Sequence, residues 1–308
     1  MAGVALLGLA LAGLNGCATP TPTSAPTDAS ATHVVATTSI WGDVVRQITD
    51  CGGGTVTTLI PSGADPHDYS PSASDVVEMV HADLVVANGL GLEEGLATAM
   101  AAAREDDAHI YDVGPYLDPQ PLAEAGEEES SSGLDPHVFL DPVRVAKGAE
   151  LIGAQLTATT GHDYGPCAAK VAASISAAGD EAGTIMSVVP ADRRILVTDH
   201  DALGYFARRY NFRIAGVVIP GGSTLAQPSS SGLADLAETV RTTGVPAIFA
   251  NTAHNTDLTE ALAGEVGNVK VVPLYVDSLG APGSGADSYQ GLIRTDATRI
   301  ADSLGQGS

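Results

Sequence analysis

Four separated stretches of this chain carry side chains suited to gripping a cation. They are His67 in Pro61-Ser-Gly-Ala-Asp-Pro-His-Asp-Tyr69, His137 in Leu134-Asp-Pro-His-Val-Phe-Leu-Asp-Pro142, His200 in Leu196-Val-Thr-Asp-His-Asp-Ala-Leu-Gly-Tyr-Phe206, and Asp277 in Pro273-Leu-Tyr-Val-Asp-Ser-Leu279. Three imidazoles and a carboxylate complete the coordination of a borderline ion such as Zn2+. A catalytic zinc would keep one position open for water, with a general base beside it. Here four protein ligands fill the coordination, no His-Glu-x-x-His helix exists, and no fifth residue stands out as a base. The pattern therefore describes holding a metal, and no catalytic residue is assigned. A zinc-dependent hydrolase is a distant alternative. Imidazole-rich coordination suits Zn2+, whereas Mn2+ prefers more oxygen donors and ranks second.

Each candidate has a plainer reading beside it. His67 and His137 follow Asp-Pro in loops outside any apolar pattern, which favours the ligand role. His200 follows a strand, where a histidine can also cap a helix. Asp277 competes with Asp199, Asp201 and Asp287, because an aspartate at a strand end often only caps a turn. Asp141 either holds a ligand imidazole by hydrogen bond or caps the helix that begins at Pro142. His33, His81, His109 and His162 are assigned no site. His254, in Asn251-Thr-Ala-His-Asn-Thr256, is expected to cap the next helix. The lone Trp41 either lines a cleft or packs in the core.

Positioning four such distant residues requires a folded frame in two parts. Strand-like runs at His33–Ile40, Thr55–Ile60, Asp83–Asn88 and His109–Val113 alternate with helical spacing at Asp43–Thr49, Ser74–Ala82 and Glu93–Arg104. Ser72 and Ser74 are candidate N-caps for the second helix. The alternation restarts with strands at Ile195–Thr198, Arg213–Ile219, Ala247–Ala250 and Val269–Val276, and helices at Ala202–Tyr210, Leu233–Thr242, Leu258–Val266 and Tyr289–Leu304. Such β-α alternation implies parallel sheets covered by helices, hence two α/β lobes.

Between the lobes, Asp141–Pro190 is nearly strand-free and reads as two helices, about Pro142–Thr159 and Tyr164–Val188. The second would be ~35 Å long, enough to join the lobes across a cleft. Gly179 and Gly183 would each weaken it by ~1 kcal/mol relative to Ala. The expected division is a leader at 1–17, a tether at 18–33, a first lobe at 34–162, a linker helix at 163–189 and a second lobe at 190–308. Binding sites of open α/β sheets lie outside the carboxyl ends of strands, where His67, His200 and Asp277 fall.

The N-terminal run Val4–Leu14 is apolar but too short to span a bilayer, and reads as the core of a signal peptide. It ends at Leu14-Asn-Gly-Cys17, which resembles a lipobox with Cys17 as the lipidated residue. No Lys or Arg precedes the run and Asn15 is uncommon there, so a plain secretory leader or an internal start is the alternative. The Pro-, Ser- and Thr-rich stretch 18–32 has nothing to bury and reads as a tether holding a globular body outside a membrane. Net charge is −23, from 37 acidic and 14 basic residues. No basic face is available for nucleic acid or anionic lipid, while cations would be attracted. The remaining cysteines, Cys51 and Cys167, are expected to pair as in other extracytoplasmic proteins.

These motifs resemble the zinc/manganese solute-binding lipoproteins of ABC importers, the TroA/ZnuA-like group (cluster A-I). The resemblance covers residues 34–308 and is most specific at Pro61–Pro71, Asp135–Pro142, Thr198–Tyr210 and Leu274–Gly283. It implies two lobes, each a four-stranded parallel sheet with helices, joined by one long helix, with the metal in the cleft. It also implies His67 and His137 as first-lobe ligands, His200 in the third position (His in zinc members, often Glu in manganese members) and Asp277 in the fourth. The implied partners of the monomeric chain are a membrane permease with its cytoplasmic ATPase. Surface adhesion, another role carried by that group, finds no support in the residues. Zinc members often insert a His-rich loop before the second ligand; here Pro119–Gly133 holds Glu124 and Glu127–Glu129 but no His. That loop reads as solvated, with loose cation collection as the alternative.

Overall fold

The computed structural model describes residues 1–3, 32–122 and 133–305. Residues 4–31, with Cys17 and the rest of the leader and tether before residue 32, lie outside the described residues, as do Glu124 and Glu127–Glu129 of the acidic loop. The described residues from Thr32 onward belong to one compact unit.

The first sheet contains β1 (His33–Ala36), β2 (Thr55–Thr58), β3 (Leu84–Ala87) and β4 (Ile110–Asp112), all parallel, in the order β2-β1-β3-β4. The second repeats the plan with β5 (Ile195–His200), β6 (Arg213–Ile219), β7 (Ala247–Asn251) and β8 (Lys270–Leu274), in the order β6-β5-β7-β8. Central strands of a sheet covered on both faces cannot alternate apolar and polar residues. Val34 to Ala36, Leu84 to Ala87 and Ala247 to Ala250 are accordingly buried without interruption. In each sheet the chain turns to opposite sides after the first and third strands, so a crevice opens there at the carboxyl ends. In the second sheet His200 and Asn251 end the two strands that flank it.

Helices α1 (Ser39–Gly52), α2 (Ala73–His81) and α3 (Ala97–Glu105) serve the first lobe, and α6 (Gly204–Tyr210), α7 (Ser230–Thr243) and α8 (Asp257–Val266) the second. α1 begins four residues earlier than its apolar spacing suggests. Thr38 caps it by accepting from the Trp41 N–H at 3.3 Å, so the apolar run 33–40 divides into a strand and a first helical turn. Ser72, not Ser74, caps α2 in a reciprocal box with Asp75. The expected helix at Glu93–Arg104 divides into a short 3-10 turn, Glu94–Leu96, and α3.

Between the sheets run α4 (Pro142–Thr160) and α5 (Gly165–Met186), joined in packing by the C-terminal α9 (Tyr289–Leu304). Asp141 caps α4 from the Val143 N–H at 3.0 Å and pairs with Arg144 at 2.8 Å. The capping reading of Asp141 holds, and it touches no candidate ligand. α5 tolerates Gly179 for a packing reason: a Cβ there would lie 2.7 Å from Pro142. The absent side chain lets α4 and α5 meet closely, and the Gly179 carbonyl accepts from the Tyr210 hydroxyl at 3.0 Å. One core runs through both lobes, from Val34 and Trp41 through Ile152 and Ile175 to Leu196 and Ile300. Smaller cores close the outer face of each sheet.

Cys51 and Cys167 form a disulfide, Cα–Cα 5.7 Å, between the end of α1 and the start of α5. Beside it, the Tyr164 hydroxyl donates to the Gly53 carbonyl at 2.6 Å. Trp41 packs rather than lining the cleft. It is fully buried, and its Nε1–H donates to Asn88 at 2.9 Å. Asn88 in turn donates to the Pro136 carbonyl at 2.9 Å, holding the loop that carries His137. Among the described residues no helix is long and apolar enough to cross a membrane.

Candidate metal centre

The structure brings His67, His137, His200 and Asp277 together, with one ligand atom from each lying within 4.8 Å of the others. All four side chains are buried. The imidazole centroids are 5.7, 6.1 and 5.3 Å apart.

Each imidazole is aimed by a carboxylate on its other nitrogen. In the Asp-Pro-His stretches, the aspartate two residues earlier accepts the histidine backbone N–H: Asp65 from His67 at 2.9 Å and Asp135 from His137 at 3.0 Å. Asp135 also holds His137 Nδ1 at 2.8 Å. Asp199 does the same for its neighbour, holding His200 N at 2.8 Å and Nδ1 at 3.0 Å. His67 Nδ1 instead lies 3.3 Å from Glu94. Next to Glu94 the chain passes close to Tyr69: a Cβ at Gly95 would sit 1.8 Å from the Tyr69 carbonyl oxygen. With Nδ1 occupied, the three Nε2 atoms point inward as acceptors. Asp277 accepts from Asn251 Nδ2 through Oδ2 at 2.6 Å.

The inward atoms are His67 Nε2, His137 Nε2, His200 Nε2 and Asp277 Oδ1, each buried without a hydrogen-bond partner. A buried polar atom left unpaired costs about 1–3 kcal/mol. Four converging on one point form a donor set that a cation would satisfy at once, and the imidazole-plus-carboxylate chemistry fits a borderline divalent ion. His200 Nε2 is 3.3 Å from Asp277 Oδ2, and His137 Nε2 3.7 Å from Oδ1. Without an ion the electrostatics divide the cluster. Burial opposes charge on His200, but Asp277 and Asp199 outweigh it and raise its pKa well above the usual value. Burial, reinforced by neighbouring imidazoles, lowers that of His67 despite the opposing pull of Asp277 and Asp65. Burial works against the Asp277 charge too, yet His200, His137 and His67 hold its carboxyl well below the usual range.

Of the alternatives weighed for Asp277, Asp199 is the partner of His200, and Asp287 caps a turn by accepting from Gly283 N at 2.9 Å. His254 does not cap the following helix: Thr256 occupies that position. Its Nδ1 lies 3.4 Å from Asp65 Oδ2, across the cleft. The supporting roles of Glu94, Asp135 and Asn251 had no counterpart in the sequence reading. For Asp135 the signal was present, since Asp-Pro-His recurs at both first-lobe histidines. The lobes also meet beside the cluster, where Ser278 Oγ accepts from Gly63 N at 2.7 Å and touches Ser39 Oγ at 3.1 Å.

Comparison with known proteins bears on this cluster. The family described as zinc-uptake complex component A, periplasmic, matches residues 34–303. The manganese-binding lipoprotein MntA of Halalkalibacterium halodurans is 28% identical, over 91% of this chain and 90% of its own length. The zinc-binding protein TroA of Treponema pallidum is 27% identical, over 88% of each. The solved structure of the periplasmic zinc-binding TroA superimposes with a TM-score of 0.77 at 27% identity, covering 89% of this chain and 99% of that one. A manganese-bound periplasmic metal-binding protein of Candidatus Liberibacter asiaticus gives 0.75 at 25% identity, covering 89% and 99%.

Proposed function

We propose, from the premise that this chain belongs to the family of periplasmic zinc-uptake complex component A, that it captures Zn2+ with His67, His137, His200 and Asp277 and passes it to a membrane permease. Membership itself makes the chain the metal-binding, substrate-binding component of an ABC transporter, working outside the cytoplasm, and not an enzyme. The metal, the ligand set and the delivery step are the proposal. The observation that carries it is the convergence of four buried ligand atoms that make no hydrogen bond. Three of them are imidazole nitrogens, which favour Zn2+ over Mn2+. Mn2+ is the second reading, because relatives are named for each metal.

The chain's own residues do two things in this reading. Asp135, Asp199 and Glu94 keep the Nδ1 atoms occupied, so each ring presents Nε2 without rearranging. Ligands drawn from both lobes, His67 and His137 from 34–162 and His200 and Asp277 from 190–308, make release depend on separating the lobes about the 163–189 helix. Cys17 would anchor a monomeric body to the membrane through the tether, and the permease with its ATPase would supply the opening. Metal content and competition on protein lacking residues 1–32, beside His200→Ala, test the reading. One tight zinc per chain, held against excess manganese and much weakened in the variant, is expected. Manganese binding of comparable strength that survives the substitution would transfer the assignment to manganese and remove His200 from the ligand set.

A further inference from the structure

We propose that Tyr205, from the second lobe, holds the His137 stretch at the pivot of opening, so that His67 leaves the ion first and His137, His200 and Asp277 keep it until last. The inference rests on the ligand set proposed above and concerns the order in which that set comes apart.

Tyr205 lies near the start of α6, on the segment that leaves His200, and is fully buried. Its hydroxyl donates to the Asp135 carbonyl at 2.9 Å and accepts the Gln120 N–H at 2.8 Å. Two guanidiniums hold the ring, Arg144 at 4.9 Å and Arg208 at 5.0 Å from its centroid. Gly204 brings α6 against the same aspartate, since a Cβ there would sit 3.1 Å from Asp135 Oδ2. A second buried phenol of that lobe, Tyr289 on α9, donates to the Phe139 carbonyl at 2.8 Å. The first lobe grips the stretch too, through Asn88 and the Pro136 carbonyl. His137 thus sits in a segment fastened from both sides, and parting the lobes moves such a segment least.

The His67 stretch is fastened differently. Its own lobe holds it, through Glu94 on His67 Nδ1 at 3.3 Å and the Ile60 N–H on the Thr37 carbonyl at 2.8 Å. The second lobe reaches it across the cleft, by Thr224 and His254 on Asp65 and by Ser278 on Gly63. Water can take the place of His254, whose side chain is 27% exposed. Breaking the Tyr205 bonds instead would strand a buried carbonyl without its donor. The cluster already shows the same division. His137 and His200 approach Asp277 at 3.7 and 3.3 Å and lie 5.3 Å apart between ring centroids, whereas His67 stands 5.7 and 6.1 Å from them.

Stopped-flow capture and release of zinc, followed with a chromophoric chelator, test this order on the natural chain and on His67→Ala, His137→Ala and Tyr205→Phe. Capture is release reversed. A contact broken before the transition state of release therefore changes the release rate alone, and one that persists through it changes capture. His67→Ala should speed release by at least about 10-fold and leave capture within about twofold. Tyr205→Phe keeps the ring beside both guanidiniums and removes only the hydroxyl. It should slow capture roughly 3- to 10-fold, the worth of one buried hydrogen bond, with release within about twofold. His137→Ala should likewise slow capture. Faster release with unchanged capture in Tyr205→Phe, the mark of a general loosening, overturns the role of Tyr205, and so do two unmoved rates. Slower capture in His67→Ala, or an effect of His137→Ala on release alone, overturns the order whether or not the Tyr205 variant folds. If the natural chain takes up no zinc, or His200→Ala leaves uptake intact, the ligand set itself fails. Tight zinc with the wrong partition of rates sinks only the order of release.

Discussion

Asp65 and Thr224 face each other across the cleft, the Thr224 hydroxyl donating to Asp65 Oδ2 at 2.7 Å. The other oxygen of the same carboxylate accepts the backbone N–H of His67. One side chain thus reads the position of the opposite lobe and fixes the backbone of a candidate ligand. Thr224→Val removes the donor while keeping the shape. A hydrogen bond to a charged group contributes about 1.5–3 kcal/mol, so metal release should accelerate by roughly 10-fold or more. Stopped-flow transfer to a chelator checks this, and an unchanged release rate would show that the contact does not restrain opening.

The carboxylates behind the imidazoles should matter nearly as much as the ligands. Asp135→Ala leaves His137 free to rotate or change tautomer, and should weaken zinc binding by ~10–100-fold. Asp199→Ala should be the more damaging, because Asp199 also accepts the Asn251 backbone N–H. Equilibrium competition on both variants decides the order. Wild-type affinity in either would mean that packing alone orients the rings.

Acid should oppose metal binding through His200. Despite burial, Asp277 and Asp199 raise its pKa above the ordinary 6.5, so a bound proton must leave before the ion can enter. Without metal, that raised pKa contributes stability fully present below about 6.5 and lost as pH rises through the folded value. The loaded protein has no such proton to lose. The gap in Tm between loaded and chelated protein should therefore widen as pH rises from 6 to 8. A gap independent of pH would contradict this protonation scheme.

Asp296 presents the same sign at a site remote from the cluster. Burial lifts its pKa to about 7, against the opposing hydrogen bond from Tyr275 N and the charge of Arg299. A carboxyl raised in the fold contributes stability present below its unfolded value near 4 and lost as pH climbs to about 7. Asp296→Asn keeps an acceptor for Tyr275 N and has nothing to ionise. It should raise the unfolding free energy at pH 8, by an amount on the order of 1 to a few kcal/mol, and flatten the pH dependence of unfolding. Parallel denaturation at pH 5 and 8 checks this; an equal effect at both would mean that Asp296 is not protonated in the fold.

The sheets were legible because buried parallel strands leave uninterrupted apolar runs such as Leu84–Ala87 and Ala247–Ala250. The convergence of the four candidates was legible through Asp-Pro-His and strand-end position. Boundaries were less so where an apolar run crosses from strand to helix, as at Ile40, since periodicity over a few residues cannot separate the two. Asn251 and Glu94 were invisible for a different reason. Each acts through one side-chain bond to a residue 26 or 27 positions away, and no local pattern records which turn will face which strand end. His254 shows the opposite failure: a local capping rule was available, and a contact from the other lobe prevailed.

The core that passes from Val34 through α4, α5 and α9 to Leu196 has a consequence for folding. Neither sheet can lose its inner covering without exposing apolar surface that belongs equally to the other. The two halves should therefore melt as a single cooperative unit, with calorimetric and van't Hoff enthalpies in agreement, rather than as two independent domains in series. A chain built this way cannot be cut at its connecting helix into two self-sufficient proteins.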